Sequence, residues 1–382
     1  MIYWTALAGI SLGIWIYLLL LRGNFWREMV QPRAPEPEHW PRIVAVVPAR
    51  NEAEHIGEAV GSLLGQDYPG EFSVILVDDQ SSDGTAEVAR AAALDADAGN
   101  RLTVLRARDL PQGWTGKLWA LSEGIAEAER RDLPPALILL TDADILHHRT
   151  NLRELAARIA TGLDLASLMV RLRMESIAER FLVPAFVFFF EMLYPFARIR
   201  DPRNRTAGAA GGCVLVRREA LRRIGGIGAI RGEIIDDCAL ARAVKRGGPI
   251  WLGLSTETRS LRAYPALEDI WRMVARTAYA QLRYSPLLLV ATVLGMTLTF
   301  LAPVAVACSG NAAAWLGVSA WSVMALAYLP TLRLYEQSPA WAPLLPLIAL
   351  VYIAATVDSA RRHWLGRGGE WKGRTHAGSP AA

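Results

Sequence analysis

An α/β domain with a mostly parallel sheet, carried between apolar helices at both ends of the chain, is what these 382 residues predict. Three observations carry that reading. Strand-like runs rich in β-branched residues alternate with helically spaced ones through the middle of the chain, several of those runs end in carboxylates, and long uncharged stretches sit near both termini. Ligands of such open sheets bind outside the carboxyl ends of the strands, so the acidic strand ends are where chemistry is expected.

The apolar content, 52% of residues, is concentrated at the ends. Ile2 to Leu21 carries no charge over 20 positions, enough to cross a bilayer core as a helix. It lacks a basic leader, and no small-x-small site precedes Phe25-Trp26, so it reads as a retained anchor and not as a cleaved signal peptide. Residues 1–22 are therefore expected as an anchor, and 23–41, with Pro32, Pro35, Pro37 and Pro41, as an extended linker. The central domain spans 42–285. Three uncharged stretches, Leu287 to Cys308, Ala312 to Leu332 and Trp341 to Val357, fill a membrane region at 286–358, and 359–382 forms a basic tail.

Arg22, Arg27 and Arg33 follow the first span, and Arg272, Arg276 and Arg283 precede the second, which places the central domain in the cytoplasm by the positive-inside rule. Three C-terminal crossings would put Arg361, Arg362, Arg367, Lys372 and Arg374 on the opposite side, against the same rule. Pro339, Pro343 and Pro346 leave a re-entrant or interfacial third segment open, so two to three crossings are expected. The net charge of +4 is spread without the basic stripe of a nucleic-acid binder, which excludes that class. Cys213, Cys238 and Cys308 form neither a zinc pattern nor a disulfide framework and fit a reducing compartment.

Within the central domain, strands are expected at Ile43 to Val47, Ser73 to Val77, Leu102 to Leu105, Leu137 to Thr141 and Leu165 to Leu172. Helices are expected at Glu52 to Leu64, Thr85 to Ala93 and Lys117 to Glu129. Phe181 to Phe196 is dense in aromatics and broken by Pro184, Glu191 and Pro195; an interfacial helix and an ordinary core helix both suit it.

The chemistry-bearing residues lie at the ends of these elements. Pro48-Ala49-Arg50-Asn51-Glu52 closes the first strand in a turn able to meet a base and ribose, although Pro48 and Asn51 are also plain turn formers. Asp83 and Ser82 are better placed than Asp78 or Asp79 to cap the next helix, which leaves the latter pair for a nucleobase N–H or a ribose hydroxyl. Asp142 and Asp144, with no Lys or Arg close in sequence, repel each other unless a cation joins them, and oxygen-only ligands favour Mg²⁺ or Mn²⁺. His147 and His148 read as surface histidines sooner than as extra ligands. Lys117 opens a helix, where the dipole disfavours a cation without an anionic partner such as a diphosphate. Gly211 and Gly212 allow a sugar close to the backbone, or simply a tight strand entry. Asp236 and Asp237 open a helix, where acids are often structural; yet the domain needs a general base, and no Ser/His/Asp or Cys/His set competes.

In their order these motifs resemble the membrane-bound glycosyltransferases of family 2, with the GT-A fold, over about Arg42 to Tyr284. The anchor, Gly113-Trp114-Thr115-Gly116-Lys117, Glu233-Ile234-Ile235-Asp236-Asp237 and Gln281-Leu282-Arg283-Tyr284-Ser285 look like the bacterial hopanoid-biosynthesis-associated members. The resemblance implies inverting transfer of a sugar from a nucleoside diphosphate donor, a UDP-sugar, to a lipid acceptor at the bacterial inner membrane, with Mg²⁺ or Mn²⁺ as cofactor. By the family pattern Pro48, Ala49, Glu52 and Asp78 or Asp79 hold the nucleoside, Asp142 the ribose and metal, Asp144 the metal, and Lys117 the diphosphate. Asp237, beside Asp236, is the implied base, and Gly211, Gly212, Gln281, Arg283 and Tyr284 serve the sugar, diphosphate or acceptor. The family's Gln/Arg-x-x-Arg-Trp motif is altered here, with Ala280 three before Arg283 and Tyr284 after it, which disfavours processive synthesis. An inactive membrane scaffold or lipid-transport protein and a nucleotidyltransferase are the alternatives.

Overall fold

The structure, a computed structural model, describes residues 2–367; Lys372 and Arg374 of the basic tail lie outside the described residues. The chain divides into two compact units. One is an α/β unit of residues 30–172 and 198–262; the other is helical and gathers residues 2–29, 173–197 and 263–367.

The α/β unit is built on an eight-stranded sheet. Its strands are β1 (Ile43–Ala49), β2 (Phe72–Asp78), β3 (Leu102–Arg106), β4 (Leu137–Thr141), β5 (Ile145–Leu146), β6 (Leu165–Arg171), β7 (Cys213–Arg217) and β8 (Ile250–Ser260), in the order β3-β2-β1-β4-β7-β6-β8-β5. β1 pairs in parallel with both β2 and β4, so Val46 faces Ile75 on one side and Leu140 on the other. A strand enclosed on every side reads as the continuous apolar run seen in the sequence, and all seven residues of β1 are buried. Because β2 and β4 flank β1, a topological switch point opens at their carboxyl ends.

β7 runs antiparallel between β4 and β6, and β6 pairs in parallel with β8. The short β5 is antiparallel to β8, pairing Ile145 with Ser260, which ties the residues just after Asp144 to the end of β8. The sequence reading contained no strand at 250–260. Its signal, Trp251, Leu252 and Leu254 followed by Thr256 and Thr258, is a β-branched alternation that begins only after Gly247-Gly248-Pro249. The helix expected from Glu52 begins instead at Ile56. Asn51 is left-handed at φ 51°, and the Glu52 backbone N–H donates to Thr85 Oγ1 at 2.9 Å, so this turn is committed to the neighbouring loop.

The helical unit holds four stretches long and apolar enough to cross a membrane: Ile2–Leu21, Pro286–Ala307, Ala314–Leu334 and Pro339–Trp364. Ala8 clusters with Val306 and Ala313, and Trp15 Nε1 donates to Thr299 O at 2.8 Å, so the first helix runs antiparallel to the second. Helix Ala314–Leu334 leaves from the same end, where a side chain at Gly317 would come within 2.4 Å of the Ala307 nitrogen; only glycine admits this crossing. Helix Ile177–Leu193 opens with a capping box of Ser176 and Glu179. Its Phe188 and Phe189 pack inside the unit against Tyr328, Phe300 and Tyr352, while Ile177 and Leu193 are exposed. The segment thus has the core role on one face and exposed apolar ends.

Helix Gly116–Glu129 covers the site's sheet face at a distance set by Gly124, where a Cβ would lie 2.4 Å from Val46 Cγ1 and 2.9 Å from Val77 Cγ2. Gly124→Val should therefore destabilise the α/β unit by about 1–3 kcal/mol through overpacking; a denaturant midpoint equal to wild type would contradict this contact.

Candidate active site

Three loops meet at the carboxyl ends of β1, β2 and β4. The turns 50–53 and 78–85 are zipped together: Asn51 N–H donates to Ser81 Oγ at 3.0 Å, Ser82 N–H to Asn51 Oδ1 at 3.0 Å, and Ala53 N–H to Asp83 Oδ2 at 3.0 Å. Asp83 also accepts from the Thr85 N–H at the start of helix Thr85–Asp95, as expected of the better cap. Asp78 Oδ1 accepts from the Ser81 N–H, and Asp79 is fully buried, 3.7 Å from the Arg50 guanidinium. Ala49 is buried at the end of β1, and Pro48 lines a small cavity with Lys117, Asp142, Gly211, Asp236 and Asp237.

That cavity's charged floor is the densest electrostatic feature of the unit. Thr115 caps the helix that carries Lys117, its hydroxyl accepting from Leu118 N–H at 3.3 Å. The capped start points Lys117 Nζ to 2.9 Å from Asp142 and 3.1 Å from Asp236. Burial disfavours the lysine's charge, but Asp142, Asp236 and Asp237 together hold its pKa above the ordinary value. Asp237 accepts from Gly211 N–H at 2.8 Å and from Cys238 N–H at 2.6 Å. Its burial and the adjacent Asp236 push its carboxyl up to about 6, against the pull of Lys117. A side chain at Gly211 would sit 3.3 Å from both Asp237 Oδ2 and Lys117 Nζ, so this glycine keeps the wall low. Gly212 instead packs towards Ile145, and its carbonyl accepts from Thr141 Oγ1.

Two expectations need correction. Asp142 and Asp144, read as uncompensated, each have a cation: Lys117 on Asp142, and on Asp144 the Arg262 guanidinium, 2.7 Å from Oδ2. Both cations are far away in sequence, which is why the local reading missed them. His147 is neither a surface residue nor a free ligand. It is buried between Thr141 Oγ1 and the Asn151 amide, each 2.9 Å away, and burial depresses its pKa to about 3, so it is neutral. His148 is tied at its N–H to Thr258 Oγ1 and at Nδ1 to Thr150 Oγ1.

Arg262 is the functional residue sequence reasoning did not find. Its other arm reaches Glu52 Oε1 at 2.8 Å, so it joins the turn after β1 to the Asp142-Ala143-Asp144 segment. Asp142 itself is held above the usual carboxylate range by burial and by Asp144 and Asp236, with Lys117 opposing. The structure therefore brings Pro48, Glu52, Lys117, Asp142, Asp144, Gly211, Asp236 and Asp237 to one end of the sheet, with Asp78 and Asp79 at the adjoining strand end. Gln281, Arg283 and Tyr284 belong to the helical unit, where Gln281 donates to Tyr194 Oη at 2.6 Å and Tyr284 stacks on His363 with ring centroids 4.4 Å apart.

Among the described residues, Lys117 pairs with Asp142 and Asp236, and Arg262 with Asp144 and Glu52. Carboxylate oxygens are donors of the kind that suits Mg²⁺ or Mn²⁺. By donor type Asp142 and Asp144 offer two carboxylates to such an ion; among the described residues no group of three or more ligating side chains is arranged to hold one.

The comparisons with known proteins agree with this architecture. Residues 44–225 match the family described as Glycosyl transferase family 2. No curated protein matches the sequence. Among solved structures, the mannosyltransferase PcManGT from Pyrobaculum calidifontis, in complex with GDP-Man and Mn²⁺, is 21% identical, aligns over 93% of this chain and 98% of its own, and has a TM-score of 0.60. Glucosyl-3-phosphoglycerate synthase from Mycobacterium tuberculosis, with Mg²⁺ and UDP, is 19% identical over 64% of this chain and 79% of its own, with a TM-score of 0.41. S. aureus TarS 1–349 with UDP is 15% identical over 85% and 92%, with a TM-score of 0.39.

Replacing Lys117 by Met should cost about 1–3 kcal/mol, less than for a fully buried ion pair because the lysine side chain remains 19% exposed. The deficit should be larger at pH 7 than at pH 4, since without the ammonium the acids have raised folded-state pKa values, stability they lose as pH rises. Equal deficits at both pH values, in chemical unfolding of the detergent-solubilised chain, would contradict the network. Residues 44–225 thus match the glycosyl transferase family 2 model, and the α/β fold around them is GT-A-like.

Proposed function

We propose that the protein is an inverting, cation-dependent glycosyltransferase that moves a sugar from a nucleoside diphosphate donor to a lipid at the cytoplasmic face of a bacterial inner membrane. The carrying observation is the convergence of Lys117, Asp142, Asp236 and Asp237 at the sheet's switch point. On the resemblance the lipid is a hopanoid or related glycolipid precursor and the donor a UDP-sugar; GDP-mannose, the ligand of PcManGT, is the second donor to test.

In this reading Glu52, Asp78 and Asp79 bind the nucleoside beside Pro48 and Ala49. Asp142 and Asp144 would hold the divalent cation, which when bound offsets the charge of the departing diphosphate. Asp237 accepts the proton of the acceptor hydroxyl while that oxygen bonds to the anomeric carbon and the bond to the diphosphate breaks on the opposite face. Two backbone N–H groups fix the Asp237 carboxylate, and Gly211 leaves room for the sugar. Lys117, paired with Asp142 and Asp236 at the same strand end, would meet the diphosphate. Gln281, Arg283 and Tyr284 are assigned to the acceptor side on the family pattern alone.

Contacts inside the helical unit support a membrane topology for this reading. Helix Ala314–Leu334 begins beside the end of Pro286–Ala307, yet Trp321, partway along it, donates to the carbonyl of Pro343 at 2.9 Å. The 3₁₀ segment Pro339–Leu344 therefore folds back along the helix it has just left. Helix Leu345–Trp364 then returns: Ser359 Oγ donates to Ala275 O, Trp271 Nε1 to Asp358, and His363 stacks on Tyr284, just before helix Pro286–Met296 begins. This supports a re-entrant hairpin whose prolines and indole-bound carbonyl relieve the backbone of unpaired groups in the membrane. Arg361, Arg362 and Arg367 then share a side with Arg272, Arg276 and Arg283, as the positive-inside rule favours.

Asp237→Asn should retain donor binding and lose at least about a hundredfold in transfer. In the wild type kcat/KM should fall below about pH 6, where the base becomes protonated. Unchanged turnover in the variant, measured as labelled lipid product with each sugar nucleotide, would remove the proposed base. For topology, Arg367→Cys with Cys213, Cys238 and Cys308 replaced should react with an impermeant maleimide in inside-out vesicles only; labelling of intact cells would contradict the hairpin.

A further inference from the structure

We propose that Arg262 is a built-in counter-cation that holds Glu52 and Asp144 together before a metal arrives and makes metal binding conditional on the nucleoside diphosphate. The inference rests on the cation-dependent reading above and concerns how that site is kept in order. Arg262 lies two residues beyond β8 and 118 residues from Asp144, so its position depends on the sheet. Two backbone ties fix it: Ile145 pairs with Ser260, and the Leu261 N–H donates to Asp144 O at 2.8 Å. From there the guanidinium divides its donors, Nε to Asp144 at 2.7 Å and Nη2 to Glu52 at 2.8 Å.

Both carboxylates have side chains only 9% exposed, so without a cation between them they would repel in poorly solvated surroundings. The planar fork of arginine suits this task, since it gives each carboxylate a directed bond and does not deprotonate. A divalent ion reaching Asp144 must share or displace that bond and approach a fixed positive charge. A diphosphate bound at the same time supplies new anionic ligands to the ion and to Lys117, which offsets the loss. Arg262 is thus a positioning residue that couples the nucleoside-side acid, Glu52, to the metal-side acid, Asp144.

The test is Mn²⁺ binding to the full-length, detergent-solubilised protein, read by the electron paramagnetic resonance of the free ion, alone and with UDP or GDP. Wild type should bind Mn²⁺ weakly alone and at least tenfold more tightly with one of the nucleotides. Arg262→Gln should bind Mn²⁺ alone about tenfold more tightly than wild type and gain less from the nucleotide. Glu52→Gln, which leaves the guanidinium to Asp144, should bind it more weakly than wild type, and Arg262→Lys should fall between wild type and Arg262→Gln. Unchanged or weaker Mn²⁺ binding by Arg262→Gln would overturn the proposal, as would, should that variant not fold, an Arg262→Lys affinity no tighter than wild type. A wild type that binds no Mn²⁺ with either nucleotide overturns the cation-dependent reading itself, a result distinguishable from failure of the Arg262 role alone.

Discussion

A single ammonium, that of Lys117, lies among the carboxylates of Asp142, Asp236 and Asp237, and the arrangement of the α/β unit around the switch point serves to keep it there. Asp142 arrives from the end of β4, the lysine from a capped helix start, and the other two acids from helix Asp236–Lys245. Burial disfavours the charged forms of Lys117, Asp142 and Asp237, and pairing between the ammonium and the acids opposes that penalty. The elements that carry them must therefore be held in fixed register, which the parallel β1–β4 pairing and the close approach at Gly124 provide.

The same constraint gives the site its chemistry. Burial first, and Asp236 beside it second, bring Asp237 to about 6, where a carboxylate exchanges protons readily near neutral pH. Arg262 and Lys117 work in parallel. Each pairs two acids from different parts of the chain. In the helical unit, Gly317 lets two helices approach closely, and Trp321 meets the carbonyl of Pro343 where the chain turns back.

Much of this was legible in the sequence for a physical reason. Buried strands such as Ile43-Val44-Ala45-Val46-Val47 and uncharged spans such as Ile2 to Leu21 are set by local composition, and strand-end acids such as Asp78 and Asp142 mark the switch point directly. What was not legible depends on long-range contact. Arg262 carries no local sign of its two partners, β8 begins after a Gly-Gly-Pro interruption, and His147 looks like a surface residue until Thr141 and Asn151 close on it. The return of the last helix to Tyr284 likewise depends on where Trp321 finds its acceptor.

The central claim is that distant acids and one cation act on a single activated sugar. Anomalous scattering from crystals of the protein grown with Mn²⁺ and a nucleoside diphosphate tests it most directly. The account predicts a manganese peak in contact with the Asp144 carboxylate and the diphosphate, with Asp237 facing the same space. A nucleotide bound at the ends of β1 and β2 with no metal at Asp142 or Asp144, or a metal held elsewhere, would contradict it.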